Sequence, residues 1–143
     1  MAKKFIRVLF FTVIISLINS SCAETKTNQC REIIDIANGT VAQARQLTDN
    51  GKSTDPEAAL LAADTMELAA EDMASLEITD EQLQQYQTEF VEMYQETAQA
   101  TRSFVRAYEK TEKRALKKAR ERLQEATKPE AELVTKINQY CLK

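Results

Sequence analysis

The chain has 143 residues, 43% hydrophobic and only 6% aromatic, with 19 basic and 22 acidic side chains giving a net charge of −3. Histidine is absent, which excludes His-based acid–base catalysis, Ser-His-Asp and Cys-His nucleophiles, haem attachment through C-x-x-C-H and the Glu-x-x-His ligand sets of di-iron bundles. There is also no C-x-x-C, Walker A or G-x-G-x-x-G pattern, so no motif points to an enzyme and no cofactor is expected.

The chain opens with Lys3, Lys4 and Arg7, followed by an eleven-residue apolar run from Val8 to Ile18 and then Ser20-Ser21-Cys22-Ala23. A basic flank, a short apolar stretch and small residues predict a cleaved signal peptide over residues 1–23. The run is too short to span a bilayer, which takes about 20 apolar residues. Two cleavage routes compete. Ser21 and Ala23 suit the −3 and −1 pockets of a general signal peptidase. A lipobox would instead make Cys22 the first mature residue and a lipidation site, but Asn19 stands where that motif wants an aliphatic side chain. Asn19 favours simple cleavage.

The remaining residues, 24–143, suit one helical domain with a modest core. It carries 16 basic and 22 acidic side chains, a net −6, which argues against nucleic acid as a partner. Strand-type alternation is absent, and only Gly39, Gly51, Pro56 and Pro129 punctuate the chain, so the expected class is all-α.

A first helix is predicted over about residues 28–48, with Cys30, Ile34, Ala37, Val41, Ala44 and Thr48 as its apolar stripe. Gly39 weakens it by about 1 kcal/mol relative to Ala. Asn38-Gly39-Thr40 is formally a glycosylation sequon, relevant only in a eukaryotic source. Residues 49–53 read as a turn. Thr54-Asp55-Pro56-Glu57 then starts a second helix reaching about Ser75, its stripe being Ala62, Met66, Ala69, Met73 and Leu76. Asp64, Glu67 and Glu71 recur at helical spacing on this segment, a pattern better explained by a solvated acidic face than by a hard-cation site. The Met66 and Met73 pair reads as core more readily than as a soft-metal site.

Thr79-Asp80-Glu81-Gln82 predicts a capping box with Thr79 as N-cap, and Ile78 and Leu83 form a hydrophobic staple. The third helix carries Leu83, Tyr86, Phe90, Met93, Thr97, Ala100, Phe104 and Ala107 in unbroken three-four alternation, a seam for shallow-angle helix packing. Its aromatics are expected in the core, since so small a bundle needs them to fill its interior. Beyond Ala107 the register slips to Leu116, Ala119, Leu123 and Ala126. A continuous helix from Asp80 to Lys128 would be about 73 Å long, so a turn is placed at residues 108–113 even though no Gly or Pro marks it. The last segment runs to about Leu142 and is kinked or interrupted at Pro129.

Cys30 and Cys141 lie in the first and last helical turns, and an exported chain with two such thiols invites a disulfide. Bridged Cα atoms lie within about 7 Å, which an odd number of up-and-down helices would not allow. The pair therefore predicts an antiparallel up-down four-helix bundle closed by a terminal disulfide.

Charge is polarised along the chain. Residues 24–99 hold 16 acidic and 4 basic side chains, a net −12, whereas residues 100–128 hold 10 basic and 4 acidic, a net +6. The simpler expectation is that the basic fourth helix lies beside acidic neighbours. The sharper one makes Arg106, Lys110, Lys113, Arg114, Lys117, Lys118, Arg120 and Arg122 an interaction surface for an anionic membrane or an acidic partner.

The stretches "CREIIDIANGT", "LQQYQTEFVEMYQ" and "NQYC" resemble an uncharacterised group of exported helical proteins found in cyanobacteria, over nearly the whole mature chain and including both cysteines. The resemblance implies a bacterial envelope or thylakoid-lumen setting and brings no activity with it; the expected location is exported, whether periplasmic, thylakoid-lumenal or extracellular. The expected function is thus a non-enzymatic binding or structural module contacting an unidentified envelope protein. The alternative is a peripheral protein using its basic helix, and a lipid on Cys22, at an anionic membrane.

Overall fold

A computed structural model describes residues 21–142 of the chain, with side chains from residue 26 onward. The predicted signal peptide thus lies almost wholly outside the described residues, as does the Cys22 side chain. Five helical segments follow one another: α1 (Ser21–Leu47), α2 (Pro56–Ser75), α3 (Glu81–Glu109), α4 (Lys113–Thr127) and α5 (Glu130–Cys141). No strand occurs among the described residues. α1 packs on α2, α2 on α3 and α3 on α4, while α5 contacts α3 and α1. α4 and α5 are two halves of one arm interrupted at Pro129, as the ring's missing donor predicts.

The core gathers Cys30, Ile33, Ala37, Met73, Leu83, Phe90, Leu133 and Ile137 with their neighbours towards the end of the molecule that holds the disulfide. Further along α2, α3 and α4 the buried side chains are mostly small: Ala62, Ala63, Ala98, Ala100, Ala119 and Ala126. Seven of the eight predicted α3 seam residues are buried; Phe104 is only half-buried, and Val105 takes the inner position beside it. On α1 the deepest line passes through Ile33 and Thr40 instead of the expected Ile34 and Val41, which are half-buried. Cys30 and Ala37 of the predicted stripe are buried as expected, and the buried face widens to Ile33 and Thr40 where α1 contacts α5 and α3 as well as α2. α1 is already helical at Ser21, the first described residue, ahead of the expected Asn28.

The α3–α4 break falls within the predicted interval. Thr111 adopts φ +56°; its N–H donates to the Tyr108 carbonyl (3.0 Å) and the Glu112 N–H to the Ala107 carbonyl (3.1 Å). These two bonds form a Schellman motif with threonine in the left-handed position that glycine usually fills. The α1–α2 turn reaches the same conformation with more suitable residues, Asp49, Asn50 and Gly51, all at positive φ.

Cys30 and Cys141 are joined by a disulfide with a Cα–Cα distance of 5.9 Å across a sequence separation of 111. The first and last helices are therefore tied at one end.

Candidate functional site

α4 turns Leu116, Ala119, Leu123 and Ala126 inward, all buried or half-buried, and this stripe packs along α3. The rest of its circumference faces solvent. Every residue of the predicted basic surface is exposed: Arg106, Lys110, Lys113, Arg114, Lys117, Lys118, Arg120 and Arg122. Lys117 lies 3.9 Å from Glu121 one turn along the same helix, a long and exposed pair of little energetic weight. Arg106 donates to the Ser103 hydroxyl (3.1 Å). The other six form no ion pair among the described residues.

The basic helix does lie beside a net-acidic neighbour, since α3 holds five acidic and two basic side chains, but no ion pair joins the two helices among the described residues. α4 meets α3, whereas most of the acidic excess belongs to α2, its flanking connections and the first half of α3; α1 is neutral, with three acidic and three basic side chains. The α2 carboxylates are held by a different cation: Arg102 of α3 bonds Asp64 (2.7 Å) and Glu67. Hydrogen bonds to Asp64, then Glu67, push the Arg102 guanidinium still further up. Where α3 and α4 do carry opposite charges, Glu96 and Arg122 line a polar groove of about 300 Å³ without closing an ion pair. The face can thus attract and orient an anion by long-range field, and its pull weakens as salt rises.

The end of the molecule opposite to the α3–α4 turn is fixed by a polar clasp that sequence patterns did not reveal. Buried Gln29 accepts hydrogen bonds from the N–H groups of Thr79 (2.8 Å) and Asp80 (3.1 Å) and donates to the Thr79 hydroxyl (2.9 Å). The α3 N-cap is Asp80, one residue later than the expected Thr79, and its carboxylate accepts from the Leu83 N–H (3.0 Å). Thr79 fails to cap because its hydroxyl is taken by Gln29, and Gln82 bonds Gln85 instead of closing the box. The Tyr140 hydroxyl of α5 donates to both Asp80 oxygens (3.0 and 2.9 Å). Its ring packs edge-on to Tyr86 and lies 3.8 Å beneath the Lys26 ammonium. The clasp and the disulfide together set the end of α5, and through it the arm that presents α4.

The aromatic cluster of α3 is core. Tyr86, Phe90, Met93 and Tyr94 are all buried, and burial pushes the Tyr94 hydroxyl up to about 12. Met73 is fully buried beside them, with Met66 packed against the same cluster. Among the described residues no group of three His, Cys, Asp or Glu side chains is placed to hold a metal ion. No described helix is long and apolar enough to cross a membrane. Comparisons with family models, curated proteins and solved structures find no match to this chain.

Proposed function

We propose that the chain is a non-enzymatic, exported binding module: an up-down bundle with antiparallel neighbours, closed by its disulfide, that engages an anionic component of the cell envelope through the basic face of α4. Export rests on the sequence pattern of residues 1–23, with the disulfide weakly in its favour. The up-down order is supported by sequential helix packing, short connections and the joining of first and last helices. The observation that carries the functional reading is that eight basic side chains, six on α4 with Arg106 and Lys110 at the end of α3 and the turn after it, are exposed and, Lys117 apart, enter no ion pair among the described residues.

An acidic face of another envelope protein is the first partner considered. An anionic lipid surface, with Cys22 as a second attachment, is the alternative that the same unpaired charges favour. A Lys117→Glu/Lys118→Glu variant separates the readings. Crosslinking pull-down from native envelope should recover a partner with the wild type and lose it with the variant, both retaining full helicity by circular dichroism. Loss of binding to anionic vesicles, with no protein captured, would favour the lipid alternative. Unchanged binding in both assays would remove the basic face from function.

A further inference from the structure

A second surface, on the α1–α2 pair, is independent of the basic arm. Ile36, Gly39 and Thr40 of α1 line a groove of about 280 Å³ with Thr65, Leu68 and Ala69 of α2. Gln43 of α1 completes a lining of mixed polar and apolar side chains, in which the two threonine hydroxyls are not free. The Thr40 hydroxyl donates to the Ile36 carbonyl (2.7 Å) and is also bonded to the Tyr94 hydroxyl of α3, and the Thr65 hydroxyl donates to the Leu61 carbonyl (3.0 Å), so both polar groups are already engaged within the chain.

Gly39 deepens the groove without any internal need for it. A Cβ placed there would meet nothing within 4 Å, and the residue sits within α1, where glycine costs about 1 kcal/mol relative to alanine. Neither a turn nor close packing within the chain accounts for that cost. Along the α2 edge, Leu61 and Leu68 are 47% and 61% exposed and two helical turns apart. The carboxylates of Asp35 and Asp72, at the rim, are exposed and form no ion pair among the described residues.

We infer that this groove docks a cationic amphipathic helix of a partner protein. An apolar anchor side chain enters over Gly39, flanked by Ile36 and Leu68, and Lys or Arg side chains of the partner meet Asp35 and Asp72. Charge complementarity selects the occupant: the only charged residues lining the groove are Asp35 and Asp72, and α2 carries five acidic side chains and no basic one, which disfavours an anionic bilayer and attracts a basic helix. Size points the same way, since small-molecule sites commonly exceed about 300 Å³ and are more enclosed, whereas helix-in-groove recognition needs room for only a few anchors. With the basic face on α4, the molecule would then bridge two components of opposite charge.

The test uses the disulfide-bonded mature protein and a labelled synthetic peptide of about 18 residues, with leucines at i, i+3, i+4 and i+7 and lysines elsewhere, followed by fluorescence anisotropy. The Leu–Lys peptide should bind, and the matching Leu–Glu peptide should not. Gly39→Leu fills the groove without changing charge, so it should weaken binding by at least about tenfold while leaving the thermal midpoint unlowered. Leu68→Ser, at an exposed position, is the second variant and should also weaken binding. Lys117→Glu/Lys118→Glu should leave it unchanged. Wild-type affinity in both groove variants, equal binding of the Leu–Glu peptide, or no binding of either peptide would overturn the proposal. So would a wild-type dimer that Gly39→Leu converts to monomer, because the occupant would then be a second copy.

Discussion

Asp80 concentrates several tasks in one side chain. Partial burial alone would raise its carboxyl, but hydrogen bonds from the Leu83 N–H, the Tyr140 hydroxyl and the Gln82 N–H, with the nearby Lys26 charge, outweigh it and hold the group below the usual carboxylate range. The same bond raises Tyr140 above the ordinary phenol range, because the neighbouring carboxylate disfavours a second negative charge. A depressed folded-state value means that the ionised form stabilises the fold. That contribution is fully present above the unfolded carboxylate pKa of about 3.9 and is lost as pH falls through the folded value. Asp80→Asn keeps a capping oxygen but cannot titrate. In thermal melts from pH 7 to pH 2, the stability advantage of the wild type over this variant should be constant above about pH 5 and shrink below about pH 4. A difference that is the same at every pH would show that the Asp80 charge has no part in the clasp.

At the level of elements, the α3–α4 junction shows how a turn forms without glycine or proline. The apolar register changes phase after Ala107, and that phase change was legible in the sequence. The residue at the turn was not, because threonine is a poor choice for a left-handed conformation and carries no turn signal. Similar reasoning explains the α3 N-terminus. Asp80 and Thr79 are both good caps, and local pattern could not rank them without Gln29, which comes from 50 residues away to occupy Thr79. The basic residues of α4 were readable as a cluster, but their lack of partners depends on which helix α4 packs against. The strain at Thr111 leads to a direct prediction. A left-handed β-branched residue costs roughly 1–2 kcal/mol, while glycine at the same position loses about 0.5–1 kcal/mol in unfolded-state freedom. Thr111→Gly should therefore raise stability by up to about 1 kcal/mol, read as a higher urea midpoint at unchanged m-value. A lower midpoint would mean that α3 runs on into α4 with no left-handed residue.

For the molecule as a whole, the disulfide and the clasp act at the same end, and the buried side chains become smaller away from it. The cysteine pairing is legible from two thiols near opposite ends of a chain that reads as exported, and the 5.9 Å Cα separation of residues 30 and 141 agrees. Leu133 and Ile137 are the buried contribution of α5 to the core, and two tethers hold them there: the covalent bond and Tyr140 on Asp80. The helical pairs α1–α2, α2–α3 and α3–α4 pack directly on one another over more of their length than α5 does on α3 or α1. Removing the bridge with Cys30→Ser/Cys141→Ser should then cost about 2–5 kcal/mol, since it releases a long loop in the unfolded chain. The loss should be unevenly distributed. Hydrogen exchange should accelerate first in residues 130–141 and in the opening turns of α1, while α2 and α3 keep protection close to that of the oxidised protein. Binding through α4 should weaken less than stability does, because α4 is seated on α3 and not on the bridge. Uniform loss of protection along all five helices would instead make the disulfide a condition for folding at all, and intact-mass measurement on protein from its native compartment, before and after reduction and alkylation, would show whether the bonded form is the one that operates there.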